Sequence, residues 1–171
     1  LELGEAETQL FTRLAGCLLH PRAALRAEPA VIARNVRGRE ALAPYGVGSE
    51  RPILLLQLAQ GADSELARQL LQAHACWRSR GLAVDLLVLC ENRAAREELM
   101  HPAAPLLDPD SFDSPGGVHL HLLTEVPQED RILLRASAHV LLASEDGERA
   151  GVDDVRDRLR RHLHALEIGR V

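Results

Sequence analysis

Two short, almost unbroken apolar runs constrain this chain more than anything else in it: residues 53–58 and residues 84–90. The first is bounded by Pro52 and Gly61. Neither run shows the polar alternation of a half-solvated strand, so each reads as a strand buried on both faces. The segment between them has helical spacing, with Leu66, Leu70, His74 and Trp77 on one stripe flanked by Ala67 and Leu71. Asp63 stands where it caps that helix, Glu65 lies in its first turn, and Gly81 takes the position just past its end. A doubly buried strand, a helix and a second such strand imply parallel pairing through a right-handed crossover.

The pattern extends both ways. Asn92 is placed to cap a helix over residues 93–100, residues 101–115 are a loop rich in Pro and Asp, and residues 118–123 follow the Gly116-Gly117 turn as a third strand. Pro127 opens another helix, with Glu129 and Asp130 in its first turn, running through Leu133, Leu134, Ala138, Val140 and Leu141. Upstream, Leu10, Phe11, Leu14, Cys17 and Leu18 repeat at helical spacing until His20-Pro21 stops them. Residues 21–44 are loop-like, with a short helix around residues 29–34. Downstream, the hydrophilic residues 144–151 lead to Val152, Val155, Leu159, Leu163 and Leu166 at heptad-like spacing.

The expected fold is therefore α/β: a three-layer parallel sheet of at least three strands with flanking helices, flavodoxin- or Rossmann-like in outline. Amphipathic helices stand at both ends of the chain. Residues 1–44 form a helical lead-in packing on the core, and residues 45–171 the α/β domain. The 171 residues fit a single domain, and a start without Met reads as a fragment of a larger protein.

Composition removes several function classes. A formal charge of −5 gains little from releasing counterions along a phosphate backbone, and the arginines form no basic stripe, so nucleic acid is not an expected partner. Aromatic residues make up 2%, which leaves few faces for stacking sugars or bases. Cys17, Cys76 and Cys90 are odd in number and embedded in apolar surroundings, as expected of reduced core thiols. No apolar stretch approaches the ~20 residues needed to cross a bilayer, and the N-terminus has no basic leader. No membrane contact is expected from this segment itself.

Several residues stand out as candidate sites. Gly46-Val47-Gly48-Ser49-Glu50 has the look of a phosphate loop, but it precedes a strand instead of joining a strand to a helix, so it reads as a tight turn. The connection through Gly61 and Asp63 lies at the carboxyl end of the first strand, where open α/β sheets bind ligands, yet its acids would repel phosphate. Cys90 ends the second strand near a helix start, a place where a thiol can be activated, although a core thiol fits it better. His119 and His121 alternate on one strand and share a face, the beginning of a metal site to which His74 or His101 would add a ligand. No carboxylate or thiol stands at supporting spacing, and polar positions on a partly solvated sheet face fit the pair better. Asp85 interrupts the second strand. Buried alone it would be costly, so it either pairs with Arg78 or Arg80 from the preceding helix or lies near the sheet edge. No cofactor is expected.

Several of these stretches resemble a segment of the cyclic β-1,2-glucan synthase family. The resemblance is carried by residues 18–26, by Tyr45-Gly46 through Pro52-Ile53-Leu54-Leu55, and by Gln69-Leu70-Leu71. Its most specific stretch follows, with His74, Trp77-Arg78 and Gly81-Leu82-Ala83-Val84-Asp85. Gly116-Gly117-Val118 and Asp130-Arg131 with Leu133-Leu134 complete it. Departures are Cys90-Glu91-Asn92, where the family has Asn-Glu, and Gly48-Ser49-Glu50, where it has Ser-Gly-Asp. The resemblance implies a very large inner-membrane enzyme with a UDP-glucose glycosyltransferase region and a glycoside phosphorylase-like region. This segment would lie between them, on the cytoplasmic face. It implies no catalytic residue here. The expected role is a non-catalytic accessory or docking domain whose partners are the parent's neighbouring domains. The alternative is a regulatory domain binding a small molecule or β-1,2-glucan, with Gly61, Asp63, His74, Trp77, Arg78 and Asn92 as candidate contacts. A third reading is self-association through the C-terminal helix.

Overall fold

The computed structural model describes residues 4–48, 50–58, 64–106 and 108–142. Four strands form one sheet: β1 (Ile53–Leu58), β2 (Asp85–Cys90), β3 (Val118–Leu122) and β4 (Val140–Leu142). They lie in the order β3-β2-β1-β4, and every pair is parallel. That order is shared with the first four strands of the Rossmann arrangement, in which the direction of winding reverses beside β1. Helix α3 (Ser64–Ser79) links β1 to β2, α4 (Arg93–Ala103) leads from β2 towards β3, and α5 (Gln128–Ser137) links β3 to β4. Two helices precede the sheet, α1 (Glu5–Leu19) and α2 (Pro29–Arg34).

The three layers follow from the period of two along each strand. Leu54, Leu56, Leu86, Val88, Val118 and Leu122 face a core completed by Phe11 and Leu14 of α1, Leu70, Leu71 and Trp77 of α3, and Leu99 of α4. Leu55, Leu87 and Leu89 face the other way, against Leu42 and Tyr45 of a 3-10 turn (Arg39–Tyr45) and Leu133 and Leu134 of α5. All six residues of β2 are buried, which explains why its sequence carries no polar alternation. Helices on both faces are what right-handed crossovers require once the winding direction reverses.

One element departs from the sequence reading. The helix expected to run on through Ala138, Val140 and Leu141 ends at Ser137, and Val140–Leu142 is the fourth strand, paired with Leu54–Leu56 of β1. Leu133, Leu134, Ala138 and Leu141 fit helical spacing. Ala138 and Val140, however, are fully buried, and the backbone leaves the helical region at Ala138. Pairing with β1 buries this short run more fully than another helical turn would, so tertiary packing overrides the local period. Helix α4 also continues past its expected end at residue 100, to Ala103. The expected C-terminal helix at 152–166, the loop at 144–151, and Gly61 and Asp63 lie outside the described residues. Among the described residues no helix is long and apolar enough to cross a membrane.

Candidate functional site

Among the described residues the densest polar cluster lies at the amino-terminal edge of the sheet and centres on Asp85, the first residue of β2. Asp85 is fully buried. Its Oδ1 accepts from the Gly116 amide at 2.8 Å and lies 3.3 Å from His119 Nε2. Its Oδ2 accepts from Arg51 Nε at 3.1 Å and from the Gly48 amide at 3.2 Å. The partner is thus Arg51, just before β1, and not Arg78 or Arg80 of α3. Burial alone would push the Asp85 carboxyl up. The bonds from His119, Gly48 and Gly116, together with the Arg51 charge, outweigh it and hold the group below the usual carboxylate range.

His74 extends the cluster. Its Nε2 lies 2.9 Å from the Val84 carbonyl and 3.0 Å from that of Gly116, so the proton sits on this nitrogen and is shared between two acceptors. Burial is the largest influence on this ring and lowers its pKa. Gly116 therefore accepts from His74 and donates to Asp85, which fastens the turn before β3 to both α3 and β2. Its φ of 72° favours glycine, and a Cβ there would press on Ala83 at 3.0 Å. Gly46, with φ of 75°, closes the opposite wall, where a Cβ would stand 2.6 Å from the His119 ring.

A second polar tie crosses the other face. Tyr45 donates to Asp130 Oδ2 at 2.5 Å, joining the 3-10 turn to α5, and the Arg37 guanidinium pairs with Asp130 Oδ1 at 3.0 Å. Burial is the main cause pushing the Tyr45 phenol up to about 12, with the Asp130 bond adding to it. His121 lies edge-on to Tyr45 at 5.3 Å between ring centroids, its Nε2 3.2 Å from the Tyr45 carbonyl. Arg131 donates to the carbonyls of Val126 and Leu123 and so fixes the entry to α5.

The candidate residues divide between the two edges of the sheet. His74 lies at the amino-terminal edge. Trp77 is also buried, and its indole donates to the Phe11 carbonyl at 3.1 Å, tying α3 to α1. Arg78 is exposed and reaches Ser114 Oγ at 3.4 Å. Asn92 is at the carboxyl edge, where its side chain accepts from the Ala95 amide and caps α4. The length of β2 separates the two groups by ~20 Å at ~3.3 Å per residue. His119 and His121 share a face, but His119 is fully buried against Asp85, not partly solvated, and His121 turns to Tyr45. His101 is exposed on α4. Among the described residues no three His, Cys, Asp or Glu side chains converge as a metal cluster. Cys90 is buried and its thiol is pushed up to about 11 by that burial, which keeps it protonated and inert.

Sequence reasoning identified Asp85 as anomalous but missed Arg51, Gly48 and Gly116 as its partners, and it missed the Tyr45–Asp130 bond. These partners lie 31 to 85 residues away along the chain, and only the parallel register brings them together. One signal was present: Arg51 stands two residues before a buried strand, and so at the same sheet edge as Asp85.

No protein-family model matches the chain. A stretch of 96 residues is 29% identical to the cyclic β-(1,2)-glucan synthase NdvB of Rhizobium meliloti (strain 1021). The stretch covers 56% of this chain and 3% of that protein. The chain is thus similar, over little more than half its length, to a small part of a glucan synthase.

Proposed function

We propose that this chain is a non-catalytic accessory domain of a cyclic β-1,2-glucan synthase-like enzyme, serving to dock or space its neighbouring domains. The observation that carries this reading is the use made of the polar side chains behind the resemblance. His74, Asp85, Tyr45, Asp130, Arg131 and the Trp77 indole all spend their hydrogen bonds inside the domain. A glucan site needs polar and aromatic groups converging on an open face. Here they hold two sheet edges and two helical layers together instead.

The second reading, a regulatory domain binding a small molecule or glucan, is favoured by the strand order. In open α/β sheets the carboxyl ends of the strands at the winding reversal are the usual ligand crevice. Here the reversal falls between β1 and β4. An amide NMR titration with linear and cyclic β-1,2-gluco-oligosaccharides decides between the two. A dispersed spectrum unchanged at millimolar sugar is the result expected of the accessory domain. Saturable shifts confined to the carboxyl ends of β1 and β4, around Leu58 and Leu142, would overturn it in favour of the ligand-binding reading.

A further inference from the structure

The outermost strand of the described sheet on the β1 side rests on little. β4 has three residues, paired with Leu54–Leu56 of β1. His139, directly before it, doubles the attachment at its start. The His139 amide donates to the Ile53 carbonyl at 2.9 Å, and the Ile53 amide donates back to His139 Nδ1 at 3.1 Å. A backbone amide can only donate, so Nδ1 holds a lone pair and the ring proton sits on Nε2. Ile53 is buried, and its amide has little water to turn to once this acceptor is lost.

That acceptor can titrate. A second proton on the imidazole takes the Nδ1 lone pair, turns the acceptor into a donor and sets one N–H against another. The ring is half-buried, so it is not sealed from solvent. The charges that act on it from the neighbouring elements are both cationic. Arg26 follows the 3-10 turn Ala23–Leu25 and is held by donating to the Ala136 carbonyl at 3.0 Å, and Arg39 opens the 3-10 turn Arg39–Tyr45. No carboxylate is among the described groups that act on the ring. Burial first, and then the two cations, lower its pKa.

We propose that His139 is a pH-sensitive latch, whose neutral ring pins the edge strand β4 to β1 and whose protonation releases that strand. Release uncovers the β1 edge at Leu54–Leu56, and an uncovered edge is a template for pairing with another segment. β1, β2 and β3 stay paired, since their ladder does not involve the ring. A ring whose folded pKa is depressed contributes fully above its unfolded value of ~6.5, and the contribution is lost as the pH falls below that.

The test is amide hydrogen exchange of the ¹⁵N-labelled full chain from pH ~7.5 to ~5.5, each rate divided by the intrinsic rate at that pH. Protection at Ile53 and His139 should fall by up to ~10-fold per pH unit below ~6.5. The Leu86 amide, bonded to the Gly117 carbonyl, is the reference for the rest of the sheet and should fall less. Ring ¹⁵N shifts should show His139 Nδ1 unprotonated at neutral pH. His139→Asn puts a carbonyl oxygen near the place of Nδ1, where it accepts from Ile53 at every pH, so protection there should no longer respond to acid. Protection at Ile53 that is flat across the range, or that falls in step with Leu86, overturns the proposal. So does a proton on Nδ1 at neutral pH, or an acid loss in the His139→Asn chain as large as in the parent. If that variant does not fold, the exchange and ring measurements on the parent chain decide alone.

Discussion

Replacing Asp85 with alanine tests the central structural argument. The substitution removes one carboxylate and strands four donors: the Gly116 amide, the His119 ring N–H, the Gly48 amide and the Arg51 guanidinium. Arg51 keeps 26% of its side chain exposed and can turn to water, so it adds little. The His119 ring is fully buried and the Gly116 amide bond is a buried one, and each stranded donor costs ~1–3 kcal/mol. Relief of the buried charge offsets part of this, leaving a net loss of ~3–5 kcal/mol. Domain stabilities run only ~5–15 kcal/mol, so the loss is a large fraction of the total. The assay is urea unfolding followed by fluorescence of Trp77, the one tryptophan in the chain and a buried one. With a slope of ~2 kcal/mol per molar, the midpoint should fall by ~2 M. Arg51→Met should cost less than Asp85→Ala, because Asp85 then keeps three donors. An Asp85→Ala midpoint within ~0.5 M of the parent would refute the claim that this carboxylate organises the edge.

Four further outcomes are expected. Tyr45 is the chain's single tyrosine, so its absorbance titration should have a midpoint near 12 in the native state and ~10 in denaturant; a native midpoint at the denatured value would deny the buried bond to Asp130. Acid should destabilise the fold. His74 is held neutral, so its contribution is complete above pH ~6.5 and is lost as the pH falls below that. The Asp85 contribution disappears lower still, as the pH falls through its depressed pKa, and a melting temperature flat from neutrality to mild acid would contradict the His74 assignment. Gly46→Ala should cost ~2 kcal/mol or more in urea unfolding, because positive φ is added to a 2.6 Å approach to His119. With a disulfide reagent at pH 8, half-buried Cys76 should react first, while Cys17 and Cys90, both buried with raised pKa values, wait for denaturant.

The sheet was legible wherever burial on both faces left an almost unbroken apolar run. β1 and β2 are such runs, and Asn92 and Gly81 mark helix ends that the structure keeps. β4 was not legible as a strand, since three residues are too few to establish a period and the preceding helix supplies a competing one. Asp85 shows the same boundary within one residue. Its cost if buried alone follows from chemistry and was visible in the sequence. Its partners depend on which loops the crossovers deliver to the same edge, and spacing along the chain does not encode that. His119 belongs with the partners: two alternating histidines announce a shared face, but not that one of them is buried against Asp85, 34 residues away along the chain.

These contacts also bear on what the resemblance to a glucan synthase means. The stretch with His74, Trp77, Gly81 and Asp85 looked most specific because a generic helix–strand unit does not need those residues. The fold supplies reasons for each. His74 bridges α3 to the turn before β3, Trp77 ties α3 to α1, and Gly81 ends α3 with φ of 82°. Asp85 gathers the loops before β1 and β3. Wording of this kind can therefore mark a shared way of building the domain without marking a shared ligand. If so, exchanging Trp77 for Phe should lower stability by ~1 kcal/mol through the lost indole bond and leave sugar titrations unchanged. A contact residue would show the reverse, with altered sugar binding and an intact fold.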